Sequence, residues 1–177
     1  MIYLVRQGET DWNLFKKANG VTDTFLNQTG IAQAKLQAEN LRNVSFDACF
    51  CSPRTRARQT CEIIYQGPIV FDDRLVEINA GEFEGADQTD AETMKLLWQA
   101  IMNGDKGTES FKDFMKRGCD FCDMIVKDHK DKNVLIVTHG VIARLINYYF
   151  NGKPKGYDFL PSVVKNGGLL TFENSKI

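Results

Sequence analysis

Short apolar runs alternate with longer amphipathic stretches along this chain, and that alternation restricts the folds open to it more than any other feature. Residues 2–5, 47–51, 69–71, 134–137 and 168–172 read as strands. Helical patterns fill the intervals. One runs from Asn27 and Thr29, both cap candidates, to Arg42, and a second from Ser52-Pro53, a capping pattern, to about Gln66. Ala91–Asn103 and residues 110–129 follow, and a last pattern places Val141, Ile142, Leu145, Ile146 and Tyr149 on one face. Strands that alternate with helices pair in parallel, because each crossover helix returns the chain to the same edge of the sheet. The expectation is a three-layer α/β/α sandwich with a mostly parallel sheet. No repeat or Pro/Gly/Ser linker interrupts the pattern, so residues 1–177 read as a single domain.

Charge and composition exclude several function classes. Lys plus Arg total 22 against 23 Asp plus Glu, a formal net charge of -1, so nothing draws the whole chain to nucleic acid or an acidic membrane. No apolar run approaches a membrane span, and the opening MIYLV has no basic leader, so the expected setting is cytoplasmic. Five cysteines, an odd number, fit reduced thiols. Cys119 and Cys122 form a CxxC, but they share a helical stripe with Phe111, Phe114, Met115, Ile125 and Val126 and read as core. A zinc site would need further ligands, and no second CxxC exists. Only two histidines are present. His129 lies in the charged stretch from Lys127 to Lys132 and reads as a solvated helix end. His139 follows the most strand-like run.

In parallel sheets, ligands sit beyond the carboxyl ends of the strands. Arg6 ends the first strand, Arg56 lies in the first helical turn after the second, Glu77 follows the third, and His139 ends the later one. Four separate segments thus bring two guanidiniums, an imidazole and a carboxyl to one sheet edge. Converging arginines need an anion between them, and their forked donors suit phosphate. Gly8 and Gly140 would let backbone N–H groups approach it closely.

These residues carry a resemblance. Arg6-Gln7-Gly8-Glu9-Thr10 with Trp12-Asn13, Ser52-Pro53 through Arg56-Ala57-Arg58-Gln59-Thr60, Leu75-Val76-Glu77 through Gly81-Glu82-Phe83-Glu84-Gly85, and Val137-Thr138-His139-Gly140 occur in order over nearly the whole chain. Together they resemble the motifs of the histidine phosphatase superfamily, the phosphoglycerate-mutase-like proteins. The resemblance implies a phosphohistidine intermediate on the first histidine of the family. It also implies a phosphate site made of Arg6, Asn13, Arg56, His139 and the Gly140 amide. Glu77 would protonate the leaving oxygen and later activate water, a role helped by the phosphate dianion, beside which a carboxyl keeps its proton more readily. Neither metal nor other cofactor is implied, since Arg6 and Arg56 would stabilise charge on the transferring group.

The sequence departs from the family at position 7, where Gln7 stands in place of the nucleophilic histidine. An amide nitrogen has its lone pair delocalised into the carbonyl and cannot form the phosphoryl-enzyme. Catalysis is therefore expected to be impaired or absent. Two readings follow: an inactivating replacement that traps ligand, or a naturally non-catalytic phospho-ligand-binding protein. Retention of Glu77, whose implied role is purely chemical, favours the first. Residues 86–107 read as a variable lid over the rest of the substrate. Met94, Leu96, Leu97, Trp98, Ile101 and Met102 lie there, with only Lys95 and Lys106 as bases. That composition points to a phosphomonoesterase of small phosphorylated metabolites with a neutral or partly apolar leaving group. Phosphoglycerate mutase is the alternative, and oligomeric state is not legible.

Overall fold

The computed structural model describes residues 1–152 and 164–173. Its elements run β1 (Ile2–Arg6), α1 (Asp11–Leu14), α2 (Gln28–Leu41), β2 (Ala48–Cys51), α3 (Thr55–Ile64), β3 (Val70–Phe71), α4 (Ala91–Asn103), α5 (Phe111–Asp128), β4 (Val134–Thr138), α6 (Gly140–Asn151) and β5 (Leu169–Phe172). Two 3-10 turns, Asp73–Leu75 and Gly81–Phe83, shape the long loop before α4. One sheet of order β3-β2-β4-β1-β5 results. Every neighbouring pair is parallel except β1 with β5, which is antiparallel.

The two-residue alternation of the strands divides the interior into two cores. Ile2, Leu4, Phe50, Val134 and Ile136 pack with Phe114, Phe121 and Ile125 of α5 and with Ile142 and Ile146 of α6. Val5, Cys49, Cys51, Leu135 and Val137 face the other way, toward Leu41 of α2 and Ala57 and Cys61 of α3. All five residues of β4 are buried, which is why this central strand reads as an unbroken apolar run. The fold is the expected α/β sandwich with a mostly parallel sheet. Phe121, fully buried and edge-on to Phe50 at 5.6 Å between ring centroids, anchors the larger core. Burial of such a ring stabilises by roughly 2–3 kcal/mol.

Local sequence chemistry sets most helix ends. Asn27 caps α2 by accepting from the Gly30 N–H at 2.9 Å, and Ser110 caps α5 by accepting from Asp113 N–H at 3.1 Å. Ser52 does not cap α3. The cap residue there is Arg54, with no side-chain bond, and the Ser52 hydroxyl serves another purpose described below. The one-turn helix α1 was not legible as an element; it is closed by a reciprocal Thr10–Asn13 capping box.

All five thiols are free, with Cys122 buried in the larger core and Cys119 half-buried beside it. His129 is not a solvated helix end. It closes α5 half-buried, with its ring edge-on to Phe50 at 5.2 Å, and burial pulls its pKa down. Among the described residues no helix is long and apolar enough to cross a membrane.

Candidate active site

At the carboxyl edge of the sheet, beyond β1 and β4, lies a cavity of about 600 Å³. Arg6, Gln7, Asn13, Arg56, Glu77, His139 and Gly140 all line it, so the residues that the resemblance implicates reach one space, whereas Gly8 does not line it. They arrive on five separate segments, and most are fixed by bonds that local sequence alone does not reveal.

Arg6 ends β1, where its N–H donates to Gly168 O at 3.0 Å and its Nη1 to Val164 O at 2.6 Å. The guanidinium lies over Gly140: a Cβ there would sit 3.3 Å from Arg6 Cζ, so this glycine makes room for the arginine. Arg6 Nε is buried with no hydrogen-bond partner among the described residues. Burial lowers the Arg6 pKa, opposed by the charge of Glu77 and aided by that of Arg144.

Gln7 is only 3% exposed. Its backbone N–H donates to Thr138 O at 2.8 Å, extending the β1–β4 pairing by one residue. Its side-chain Oε1 is buried without a partner among the described residues, a cost of about 1–3 kcal/mol that an incoming donor would relieve. The Gly8 N–H donates to Thr60 Oγ1 at 3.1 Å and so is committed to α3 rather than offered to the cavity. Gly8 itself packs against backbone: a Cβ would fall 2.4 Å from Gly30 O, which brings the start of α2 hard against this loop. Asn13 accepts through Oδ1 from Thr10 N–H at 3.1 Å and from Asn166 Nδ2 at 3.0 Å, which aims its amide nitrogen elsewhere.

Arg56 is 1% exposed. Its Nη1 donates to Thr22 O at 2.8 Å and its Nη2 to Gly20 O at 2.7 Å. The loop that supplies these carbonyls is held by Glu84, whose carboxylate accepts from Val21 N–H at 2.8 Å and from Gly20 N–H at 3.2 Å. Arg56 Nε donates to His139 Nδ1 at 3.2 Å. The other ring nitrogen, Nε2, must then carry the proton and donate to Ser52 Oγ at 2.7 Å. The ring is neutral: complete burial pushes its pKa well below the ordinary value, and the charges of Arg56 and Arg6 push the same way. As found, His139 spends both nitrogens within the protein.

Glu77 sits at the opening of α6. Its Oε2 accepts from Val141 N–H at 2.8 Å, and its Oε1 from Ile142 N–H at 3.2 Å and Ile78 N–H at 3.1 Å. The carboxylate thereby satisfies first-turn donors of α6 and complements its dipole. Its own loop is clamped by Arg117 of α5, whose Nη1 donates to Arg74 O and Val76 O, both at 2.7 Å. Arg117 is in turn paired through two nitrogens with Glu109, at 2.6 and 2.8 Å.

Ser52, Thr60, Arg117 and Asn166 are the positioning residues that sequence reasoning missed. Of these Ser52 and Thr60 lay within a quoted motif, where Ser52 read as a helix cap and Thr60 was given no role. Also missed were Lys16, Arg144 and Lys165, which line the cavity. Within residues 86–107 only Gln88 reaches it. Trp98 and Met102 line a separate groove with Lys95, while Leu97, Ala100 and Ile101 are buried in the core. Among the described residues no three His, Cys, Asp or Glu side chains gather as a metal-binding group.

Chemically, the cavity joins buried cations, a helix opening, a carboxylate and a neutral imidazole, an arrangement suited to a tetrahedral anion. The profile of the histidine phosphatase superfamily (branch 1) matches residues 2–173. The chain is 35% identical over 158 residues to the uncharacterized phosphatase PhoE of Bacillus subtilis, covering 87% of this chain and 79% of that one. It is 31% identical over 160 residues to the 2,3-bisphosphoglycerate-dependent phosphoglycerate mutase 2 of Gloeobacter violaceus, covering 82% and 73%. Among solved structures it is similar to the alpha-ribazole phosphatase of Shigella flexneri, with a TM-score of 0.81 and 26% identity over 98% of this chain and 96% of that one.

Proposed function

The chain belongs to the histidine phosphatase superfamily, branch 1, and on that footing we propose that its cavity binds the phosphate of a small phosphorylated metabolite, which the Gln7 form holds without turnover. The observation that carries this is Arg6: a buried guanidinium whose Nε donor has no partner among the described residues, lining the same cavity as Arg56 and Gly140. The arginines supply the positive charge that phosphoryl transfer needs. Of the first-turn donors of α6, Val141 and Ile142 serve Glu77, which leaves the Gly140 N–H for a phosphate oxygen. A bound dianion competes for Arg56 Nε and frees His139 Nδ1 from its bond to it.

With histidine at position 7 the chemistry is complete. The imidazole nitrogen attacks phosphorus, the P–O bond to the leaving group breaks, and protonated Glu77 gives its proton to the departing oxygen. Water then attacks the phosphohistidine, the Glu77 carboxylate takes its proton, and phosphate leaves with the imidazole restored. The normal activity in this reading is that of a phosphomonoesterase, and five free thiols fit a reducing, cytoplasmic setting.

The test has two parts. The parent protein should bind inorganic phosphate in a calorimetric titration yet show no burst or turnover with p-nitrophenyl phosphate. Gln7→His should raise hydrolysis by roughly a thousandfold or more. Phosphate binding with no activity on reversion would instead support a naturally non-catalytic phospho-ligand-binding protein. Similarity to a phosphoglycerate mutase favours one further reading. Interconversion of phosphoglycerate isomers by Gln7→His protein primed with 2,3-bisphosphoglycerate, without phosphate release, would select it.

A further inference from the structure

In the smaller core, three buried thiols meet that the phosphate chemistry does not use. Cys49 and Cys51 lie two residues apart on one face of β2, and Cys61 comes from α3, the helix that covers that face. The sulfurs of Cys49 and Cys61 share a hydrogen bond at 3.4 Å, whereas Cys51 donates to Ser52 O at 3.2 Å. Cys49 and Cys61 therefore already face each other across the strand–helix boundary, both free. Their chemistry is unequal. The bond between them pulls the Cys61 thiol down, against burial, and pushes the Cys49 thiol up. A nucleophilic thiolate with a protonated thiol against it is the arrangement in which one sulfur meets an oxidant and the other resolves the product.

The pair also sits on the elements that hold the cavity. Thr60, the neighbour of Cys61, accepts from Gly8 N–H at 3.1 Å and donates to Arg56 O at 2.8 Å. Arg56 belongs to the same helix and is held by the carbonyls of Gly20 and Thr22 and by His139 Nδ1. Closing the 3.4 Å contact to a disulfide bond of about 2.05 Å draws α3 toward β2. Arg56 and Thr60 ride on that helix, whereas Gly8, Gly20, Thr22 and His139 belong to other segments.

We propose that Cys49 and Cys61 form a reversible dithiol–disulfide pair, oxidised by a peroxide, whose closure weakens the phosphate site. The Cys61 thiolate attacks one peroxide oxygen, the O–O bond breaks, and the departing hydroxide takes up the thiol proton as water. The Cys49 sulfur then attacks the Cys61 sulfenic acid. The S–S bond forms, the S–O bond breaks, and the Cys49 proton leaves with the hydroxyl as a second water. Two thiols are oxidised and one hydrogen peroxide is reduced. Burial restricts the oxidant to a small molecule that enters on local opening, and the second step needs no further reactant. The weakening rests on the phosphate-site reading above; the pairing does not.

Parent protein treated with hydrogen peroxide, alkylated and digested should yield a linked peptide joining Cys49 to Cys61, absent after dithiothreitol. Cys51→Ala protein should still form the link, and Cys49→Ala protein should not. Calorimetric titration with inorganic phosphate should show affinity lower by about threefold or more after oxidation. Dithiothreitol should restore it, and peroxide should leave the affinity of Cys49→Ala protein unchanged. A link from Cys61 to Cys51, or no link at all, overturns the pair, whether the thiols stay reduced or pass to sulfinic acid. A Cys49–Cys61 link with unaltered affinity overturns its control of the site. If the fully reduced parent binds no phosphate, the phosphate-site reading fails and the control fails with it, while the peptide map still decides the pair.

Discussion

Removing one hydroxyl gives a quantitative test of how the site is held. Ser52 is fully buried, His139 is 1% exposed, and the Nε2–Oγ separation is 2.7 Å. Because Nδ1 already accepts from Arg56 Nε, the proton is assigned to Nε2, and Ser52→Ala leaves a buried N–H with nowhere to donate. The unmet donor should destabilise by about 1–3 kcal/mol, more than the roughly 0.5–1.5 kcal/mol of a typical hydrogen bond. For a chain of this size each kcal/mol moves the melting temperature by about 2–4 °C, so a fall of roughly 2–12 °C is expected. Urea unfolding should show a lower midpoint at unchanged slope. Pairing Ser52→Ala with His139→Gln in a double-mutant cycle isolates the interaction, and the coupling should be about 1 kcal/mol or more. Ser52→Ala protein as stable as the parent to within about 0.5 kcal/mol would refute the assigned tautomer and with it the neutral, doubly bonded imidazole.

Acidification gives a second expectation. His139 and His129 both have folded-state pKa values below their unfolded ones, so below about pH 6.5 the unfolded chain binds protons that the native state refuses. Their contribution is fully present above that pH and lost as pH falls, by up to about 1.4 kcal/mol per pH unit for buried His139 and by much less for the solvent-screened His129; urea midpoints between pH 7.5 and 5.5 measure it. Arg117→Ala removes the clamp on the Glu77 loop and strands Glu109, so it should cost roughly 2–4 kcal/mol in urea unfolding. In the Gln7→His background it should also lower turnover. Gly8→Ala places a methyl 2.4 Å from the Gly30 carbonyl and should cost about 2 kcal/mol or more while weakening phosphate binding.

The alternation of apolar runs determined the sandwich, because side-chain period and strand length are local properties and β4, buried on both faces, has a sequence to match. Sequence order also brought Arg6, Arg56, Glu77 and His139 to the strand ends, since parallel pairing aligns those ends on one edge. Which donor each group meets was not local. Ser52 carries every mark of a helix cap, yet it lies beside His139, 87 positions away, and bonds the imidazole instead. The Gly8 amide, expected to face an anion, is claimed by Thr60 from a neighbouring helix. The apolar residues of α4 read as a lid, but tertiary packing turns Leu97 and Ile101 into the core and leaves only Gln88 of that segment at the cavity. Lys16 and Lys165, far apart in sequence and ordinary in composition, become neighbours of the site through chain return alone. Sequence thus set which residue types reach the sheet edge, because that follows from period and order. Tertiary structure decided their bonding and charge state, because those depend on burial and on partners supplied from other segments.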